Sequence, residues 1–207
     1  KLVIEDIEQI VVKLRNSGIN AINGNWVVDD SLFDVADVNP SDFDGKPSKP
    51  YNVGPNAAMI NFKSSKVIIK RSKRSKSIYI SLKPELAGVR IKKKLRVVRG
   101  GCSRNIISST YDQDVLRVFG SIGRNCRSFG FYASLMNHEQ FGFSVFKKAW
   151  IQAGGKINGS AFLGKNPKNS KTLLKWRSPR SLVSLIKDIN TMSNNPMART
   201  LFLNLSA

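Results

Sequence analysis

The residues of this 207-residue chain that could do chemistry are few and poorly spaced for catalysis. His138 is the single histidine and stands beside Glu139. A general base needs a positioned partner and a substrate pocket. The neighbouring sequence selects neither, so a surface or helix-start histidine is expected. Asp112 and Asp114 could hold Mg²⁺ in a nuclease, but such sites gather several oxygen ligands around substrate phosphates. Residues 51–207 hold only five acids, and Thr110 with Gln113 fits a helix capping box around this pair. Cys102 and Cys126 make neither a zinc set nor a disulfide framework, and are expected as free thiols in a reducing compartment. No G-x-x-x-x-G-K-[ST] loop is present. The residues therefore predict no catalytic group, no metal and no cofactor, in a protein that is not an enzyme.

Charge is the stronger signal. The chain carries 34 Lys+Arg against 14 Asp+Glu, a formal +20. Residues 1–50 hold nine acids and five bases, while residues 51–207 hold five acids and 29 bases. Such an imbalance speaks to partners rather than fold, and a polyanion is the natural partner because each neutralised phosphate releases counterions. In residues 66–99 thirteen of 34 positions are Lys or Arg, yet apolar residues alternate with them. Val89, Ile91, Leu95 and Val97 share one side of an extended chain; Arg90, Lys92, Lys94 and Arg96 share the other. Same-side residues then stand about 6.5–7 Å apart, close to the phosphate spacing of an extended nucleic-acid strand. The nucleic-acid-binding set predicted from this pattern is Lys70, Arg71, Lys73, Arg74, Lys76, Arg90, Lys92, Lys94, Arg96 and Arg99. Arg124, Arg127, Phe129 and Tyr132 join it, because guanidinium groups beside aromatic faces offer stacking platforms.

Residues 127–134, RSFGFYAS, resemble part of the RNA-recognition-motif octamer at Arg127, Phe129, Gly130 and Phe131. Ser128, Tyr132 and Ser134 depart from it, and the order of elements does not suit that fold, so the family is not assigned.

The elements that must position these groups follow from periodicity. Ile4, Ile7, Val11 and Leu14 stripe an N-terminal helix, with acids early and bases late, ending near Gly18. Residues 39–55, with four prolines, read as a linker or extended arm. Lys66–Lys70, Ile78–Leu82 and Val89–Val97 read as strands, the first two joined by the basic loop 71–76. Helices are expected over about 110–122, from Asn137 to about Ala153, and from Ser178-Pro179 with Leu182, Leu185, Ile186 and Ile189 buried. Residues 155–171 read as a loop and Leu201, Leu203 and Leu205 as a final strand. The expected fold class is α+β: a small basic antiparallel sheet over about residues 66–98, packed with a mainly helical C-terminal half, plus an N-terminal helix and extended arm. The domains expected are an acidic 1–50 and a basic nucleic-acid-binding core, 51–207.

The function expected is sequence-independent RNA packaging, as a viral coat or nucleocapsid subunit that self-assembles. A ribosomal protein, organellar or otherwise, binding rRNA among ribonucleoprotein neighbours is the alternative. A nucleic-acid-processing enzyme and a membrane-surface matrix protein come after it. No apolar run near 18 residues and no secretion signal are evident; no membrane partner and an intracellular or virion location are expected.

Overall fold

A computed structural model describes residues 2–33, 35, 38–72 and 77–206. In chain order these form α1 (Ile4–Asn16), β1 (Ala21–Asn23), β2 (Trp26–Val28), β3 (Ser65–Arg71), β4 (Ile78–Lys83), β5 (Arg90–Val98), β6 (Ile106–Asp112), β7 (Val115–Gly123) and β8 (Ser128–Ala133). After them come α2 (His138–Gln152), β9 (Lys156–Asn158), β10 (Ala161–Leu163), α3 (Leu182–Met192) and α4 (Asn195–Ser206). The α+β class is borne out. The chain forms two compact units, one of Lys1–Lys63 with Met136–Ala207 and one of Ser64–Leu135. The boundary anticipated near residue 50 falls inside the first.

The first unit is built on α1 and α2. Ile7 and Val11 bury the stripe of α1, and the carboxylate of Asp6 accepts the backbone N–H of Val3 at 2.9 Å to close its first turn. Arg15 ties the ends of the two helices together: its Nε donates to the Ala153 carbonyl at 3.2 Å, and its guanidinium lies 5.5 Å from the Trp150 ring centroid. Phe146 lies between Trp26, whose ring is tilted to it at 5.0 Å, and Trp150, on which it stacks at 5.7 Å. Gly155 follows α2 because a Cβ there would meet Trp150 Nε1 at 2.3 Å, and that indole donates to the Lys156 carbonyl. Residues expected to form one loop after α2 instead include β9 and β10, which pair in parallel with β1 and β2.

Residues 39–55 are not an extended arm. Asp44 accepts hydrogen bonds from the Tyr51 hydroxyl and the Asn52 amide, each at 2.6 Å, and Asn52 and Val53 are buried. These side-chain bonds fold the proline-rich stretch onto itself.

The second unit holds two three-stranded sheets, ordered β4-β3-β8 and β5-β7-β6. The first is antiparallel, with Val67 and Ile69 fully buried between Leu82, Ile80, Phe131 and Phe129. The expected single antiparallel sheet over 66–98 is thus divided: β5 leaves β3 and β4 and pairs in parallel with β7. The expected helix over 110–122 is the antiparallel hairpin β6–β7. Gln113 and Asp114, read as part of a helix cap, form its two-residue turn with φ of +46° and +60°, as hairpin turns of this handedness require. The Tyr111 hydroxyl donates to Asp114 at 3.0 Å across the turn. Leu116, Val118 and Ile122, all fully buried, lie on one side of β7, as a period of two demands. At Gly120 a Cβ would meet the Ile106 carbonyl oxygen at 2.0 Å, so only glycine admits β6 there.

Three further expectations are corrected. Cys102 and Cys126 form a disulfide, because the β7–β8 turn returns Cys126 to the start of the segment after β5. The last residues form α4, not a strand. The helix predicted from Ser178 begins at Leu182, where the Ser181 hydroxyl accepts the Ser184 N–H at 3.2 Å. Its expected buried stripe is open at Leu182 and Ile186.

Candidate functional site

The junction between α3 and α4 is a compact turn, Ser193-Asn194-Asn195. Ser193 ends α3 in the left-handed region, φ +48° and ψ +47°, and its N–H donates to the Ile189 carbonyl. A left-handed residue other than glycine costs about 1–2 kcal/mol, so the surroundings must hold it. Asn194 does so. Its N–H donates to the same Ile189 carbonyl at 3.1 Å, its side-chain oxygen accepts the Met197 N–H at 3.1 Å, and its carbonyl accepts the Ala198 N–H at 3.0 Å. The middle residue is therefore occupied in starting α4, and the flanking Ser193 and Asn195 are exposed. A hydroxyl and a carboxamide together offer both donors and acceptors, the complement a peptide group needs.

A second polar constellation lines a cavity of about 590 Å³ in the same unit, with Asp30, Asn56, Lys63, Asn137, His138 and Glu139 in its wall. Lys63 closes a run of three left-handed residues, Asn61, Phe62 and Lys63, at φ +45°, +53° and +51°. Burial lowers the Lys63 ammonium below its ordinary value, and the Glu139 carboxylate opposes that shift. His138 opens α2. Burial, and then the Lys63 charge, push its imidazole down to about 4, against a hydrogen bond to the Gly54 backbone. It is neutral at pH 7, and its Nδ1 is buried without a partner. Asn137 donates to Glu139 at 2.9 Å and Asn56 to Asp30 at 3.0 Å. Among the described residues no group of His, Cys, Asp and Glu could hold a metal ion.

The basic set is only partly gathered. Arg90, Lys92, Lys94 and Arg96 lie exposed on one side of β5, as their alternation implies. Lys70 is exposed near the end of β3, and Arg71, the last residue of that strand, is spent on backbone, its guanidinium donating to the Arg124 carbonyl. Lys73, Arg74 and Lys76 lie outside the described residues. Arg99, Arg124 and Arg127 are exposed in connecting segments. Phe129 shares the packed side of β8 with Phe131, whose ring is 6.3 Å away. Tyr132 stands on the opposite side, with the Lys66 ammonium 5.7 Å from its ring. The two aromatics therefore do not form one stacking platform.

Comparison with known proteins supplies the class that this geometry belongs to. The model of the D-Ala-D-Ala carboxypeptidase 3 (S13) family matches residues 1–207, and the chain belongs to that family. It is similar to D-alanyl-D-alanine carboxypeptidase DacB of Haemophilus influenzae, 23% identical over 197 residues, which are 93% of this chain and 40% of that protein. The chain thus spans about two-fifths of the curated relative. The crystal structure of penicillin binding protein 4 (dacB) from Haemophilus influenzae superposes with a TM-score of 0.70 at 20% identity, over 99% of this chain and 45% of that one. A second structure of that protein, complexed with a novel β-lactam, gives 0.59 at 18% identity, over 98% and 43%.

These matches overturn the expected RNA-packaging subunit, its ribosomal alternative and RNA or ribonucleoprotein neighbours as partners, since the whole chain falls in a peptidase family. They also overturn the expectation that the protein is not an enzyme. Net charge misled because it constrains partners and solubility but not the fold. The signal overlooked was Ser193-Asn194-Asn195. Penicillin-binding proteins carry S-x-x-K, S-D-N and K-T-G motifs, and this triplet fits the second with Asn in its middle position. K-T-G does not occur in these 207 residues. The spacing S-x-x-K occurs at Ser144–Lys147 on α2 and Ser184–Lys187 on α3. Ser144 is buried, and Ser184 accepts a hydrogen bond from Arg180 at 3.3 Å.

Proposed function

We propose that this chain is part of a peptidoglycan peptidase that removes the terminal D-alanine from D-alanyl-D-alanine peptide ends and is acylated by β-lactams. Family membership over the whole chain carries this reading. The built turn at 193–195 supports it independently: a penicillin-binding-protein triplet stands at a helix start with its outer two side chains free to meet a ligand. In this reading the Ser193 hydroxyl relays a proton and the Asn195 carboxamide holds the substrate's peptide group. The serine nucleophile attacks the penultimate carbonyl, forms an acyl-enzyme ester and expels D-alanine, and water then hydrolyses the ester. Neither S-x-x-K serine described above is placed for that attack, one being buried and the other bound by Arg180. The nucleophile and the K-T-G triplet are assigned to chain outside this stretch, in keeping with relatives more than twice as long. The disulfide Cys102–Cys126 supports an oxidising, extracytoplasmic setting, where peptidoglycan is found.

The test is acylation of the full-length protein by a fluorescent penicillin, together with D-alanine release from a D-alanyl-D-alanine peptide. Ser193→Ala and Asn195→Ala should each slow both reactions by about 10²-fold or more, the loss typical of a proton-transfer group or an oriented donor, with unchanged circular dichroism. Wild-type rates in both variants would refute the assignment of the turn.

A further inference from the structure

The second unit holds 17 Lys+Arg and three Asp+Glu within residues 64–135, so this third of the chain carries +14 of the total +20. Nothing in the proposed peptidase chemistry uses that charge. The registers of β5-β7-β6 place much of it on one side of one sheet. Four rows cross the three strands: Arg90–Val115–Asp112, Lys92–Arg117–Thr110, Lys94–Phe119–Ser108 and Arg96–Ser121–Ile106. Each row begins with a cation on β5, and Arg117 adds a fifth in the middle strand. All five cations are exposed. Arg90 donates to the Gln113 carbonyl at 3.4 Å. Among the described residues no carboxylate pairs with any of the five, and the ion pairs found lie elsewhere, at Lys46–Asp44 and Arg180–Asp188. Asp112 is the sole acid in the four rows, at their end.

Two apolar side chains stand among these cations. Phe119 is 40% exposed and Ile106 is 73% exposed. On the opposite side of the same sheet Leu116, Val118 and Ile122 of β7 are completely buried, although Ile91 and Val97 of β5 are exposed there; on the open side only Val115, in the first row, is buried. Its four rows extend the cationic edge over about 20 Å.

From this arrangement we infer that the open side of β5-β7-β6 is a docking surface for an anionic phospholipid bilayer. Headgroup phosphates complement the five cations, and Phe119 and Ile106 enter the boundary between headgroups and acyl chains. A bilayer satisfies both components together, as it does for amphipathic surfaces rich in Lys and Arg. A soluble polyanion would complement the charges and leave the two apolar groups in water. The expectation that no membrane is involved rested on the lack of a long apolar run, but surface adsorption requires no spanning helix. Among the described residues no helix is long and apolar enough to cross a membrane, and the contact inferred is peripheral.

The test is co-sedimentation of the protein with phosphatidylcholine vesicles, with and without one-third phosphatidylglycerol, at low and high salt. Binding should require the anionic lipid. Lys92→Gln with Lys94→Gln should weaken it by about 25-fold, roughly fivefold per charge removed near an anionic surface. The charge-matched pair Lys168→Gln with Lys171→Gln, exposed outside this sheet, should bind like wild type. Phe119→Ser should lower the binding that survives high salt. The inference is overturned if the two double variants weaken binding equally, since net charge alone would then be acting. It is also overturned if soluble polyphosphate binds as tightly per phosphate as the vesicles do while Phe119→Ser changes nothing.

Discussion

Lys92 on β5 stands in register beside Arg117 on β7, cation against cation on the open side of a parallel strand pair. Like charges directly across strands destabilise a sheet. Arg117→Thr should therefore stabilise the folded protein by about 0.3 kcal/mol at low salt, and less at 1 M salt, where the Debye length shrinks to about 3 Å. The same substitution should weaken adsorption to anionic vesicles. Chemical denaturation at two salt concentrations reads the first effect; a stability loss at low salt would contradict the repulsion.

Asn194 is the side chain that starts α4. Replacing such a capping side chain with alanine costs about 1 kcal/mol, so Asn194→Ala should lower the unfolding midpoint. It should also slow penicillin acylation, because Ser193 and Asn195 lose the turn that holds them. Asn194→Asp keeps the accepting oxygen and should retain most of both properties. If Asn194→Ala is destabilised but acylates at the wild-type rate, the turn serves the fold alone.

The disulfide Cys102–Cys126 spans a sequence separation of 24. In the loop-entropy account a cross-link of this length contributes roughly 3 kcal/mol. Cys102→Ser with Cys126→Ser should show this loss in the protection of β5–β8 amides from hydrogen exchange. Reductant should lower the wild type's thermal midpoint but leave the double variant's unchanged. Equal sensitivity of both proteins to reductant would show that the bridge adds nothing.

His138 gives the fold a defined acid response. Its folded value of about 4 lies below the ordinary value of 6.5, so the unfolded chain binds more protons between these limits. The contribution is complete above about pH 6.5 and is lost as pH falls through that window toward 4. Partial exposure limits it to about 1–3 kcal/mol. His138→Gln should flatten the stability profile between pH 4 and 6.5, and an NMR titration of the imidazole should give a midpoint well below 6. A midpoint near 6.5 would place the ring in solvent.

What could be read without coordinates follows a physical division. Asp6, Ile7 and Val11 reveal α1 because a helix writes its period and charge gradient locally. Ile78, Ile80 and Leu82 reveal β4 by alternation, and Lys66–Lys70 is legible only as a shorter strand. The stretch Thr110–Ile122 was ambiguous because Leu116, Val118 and Ile122 share one strand side while Val115, Phe119 and Ile122 satisfy helical spacing equally well. The choice fell to the turn at Gln113-Asp114 and to the burial that β5 and β6 provide on either side of β7. The Ser193-Asn194-Asn195 triplet was visible as letters, but its importance depends on an exposed position between two helices.

By itself the sequence determined the local periods, the overall +20 and the alternation that puts Arg90, Lys92, Lys94 and Arg96 on one side of a strand. Those properties depend on residues close together along the chain. Only the tertiary structure decided that β5 pairs with β7 rather than β4, that Cys102 meets Cys126, and that Lys63, His138 and Glu139 line one cavity. Each of these joins segments whose separation along the chain carries no local pattern, and is settled by which surfaces bury the most apolar area while leaving backbone hydrogen bonds satisfied.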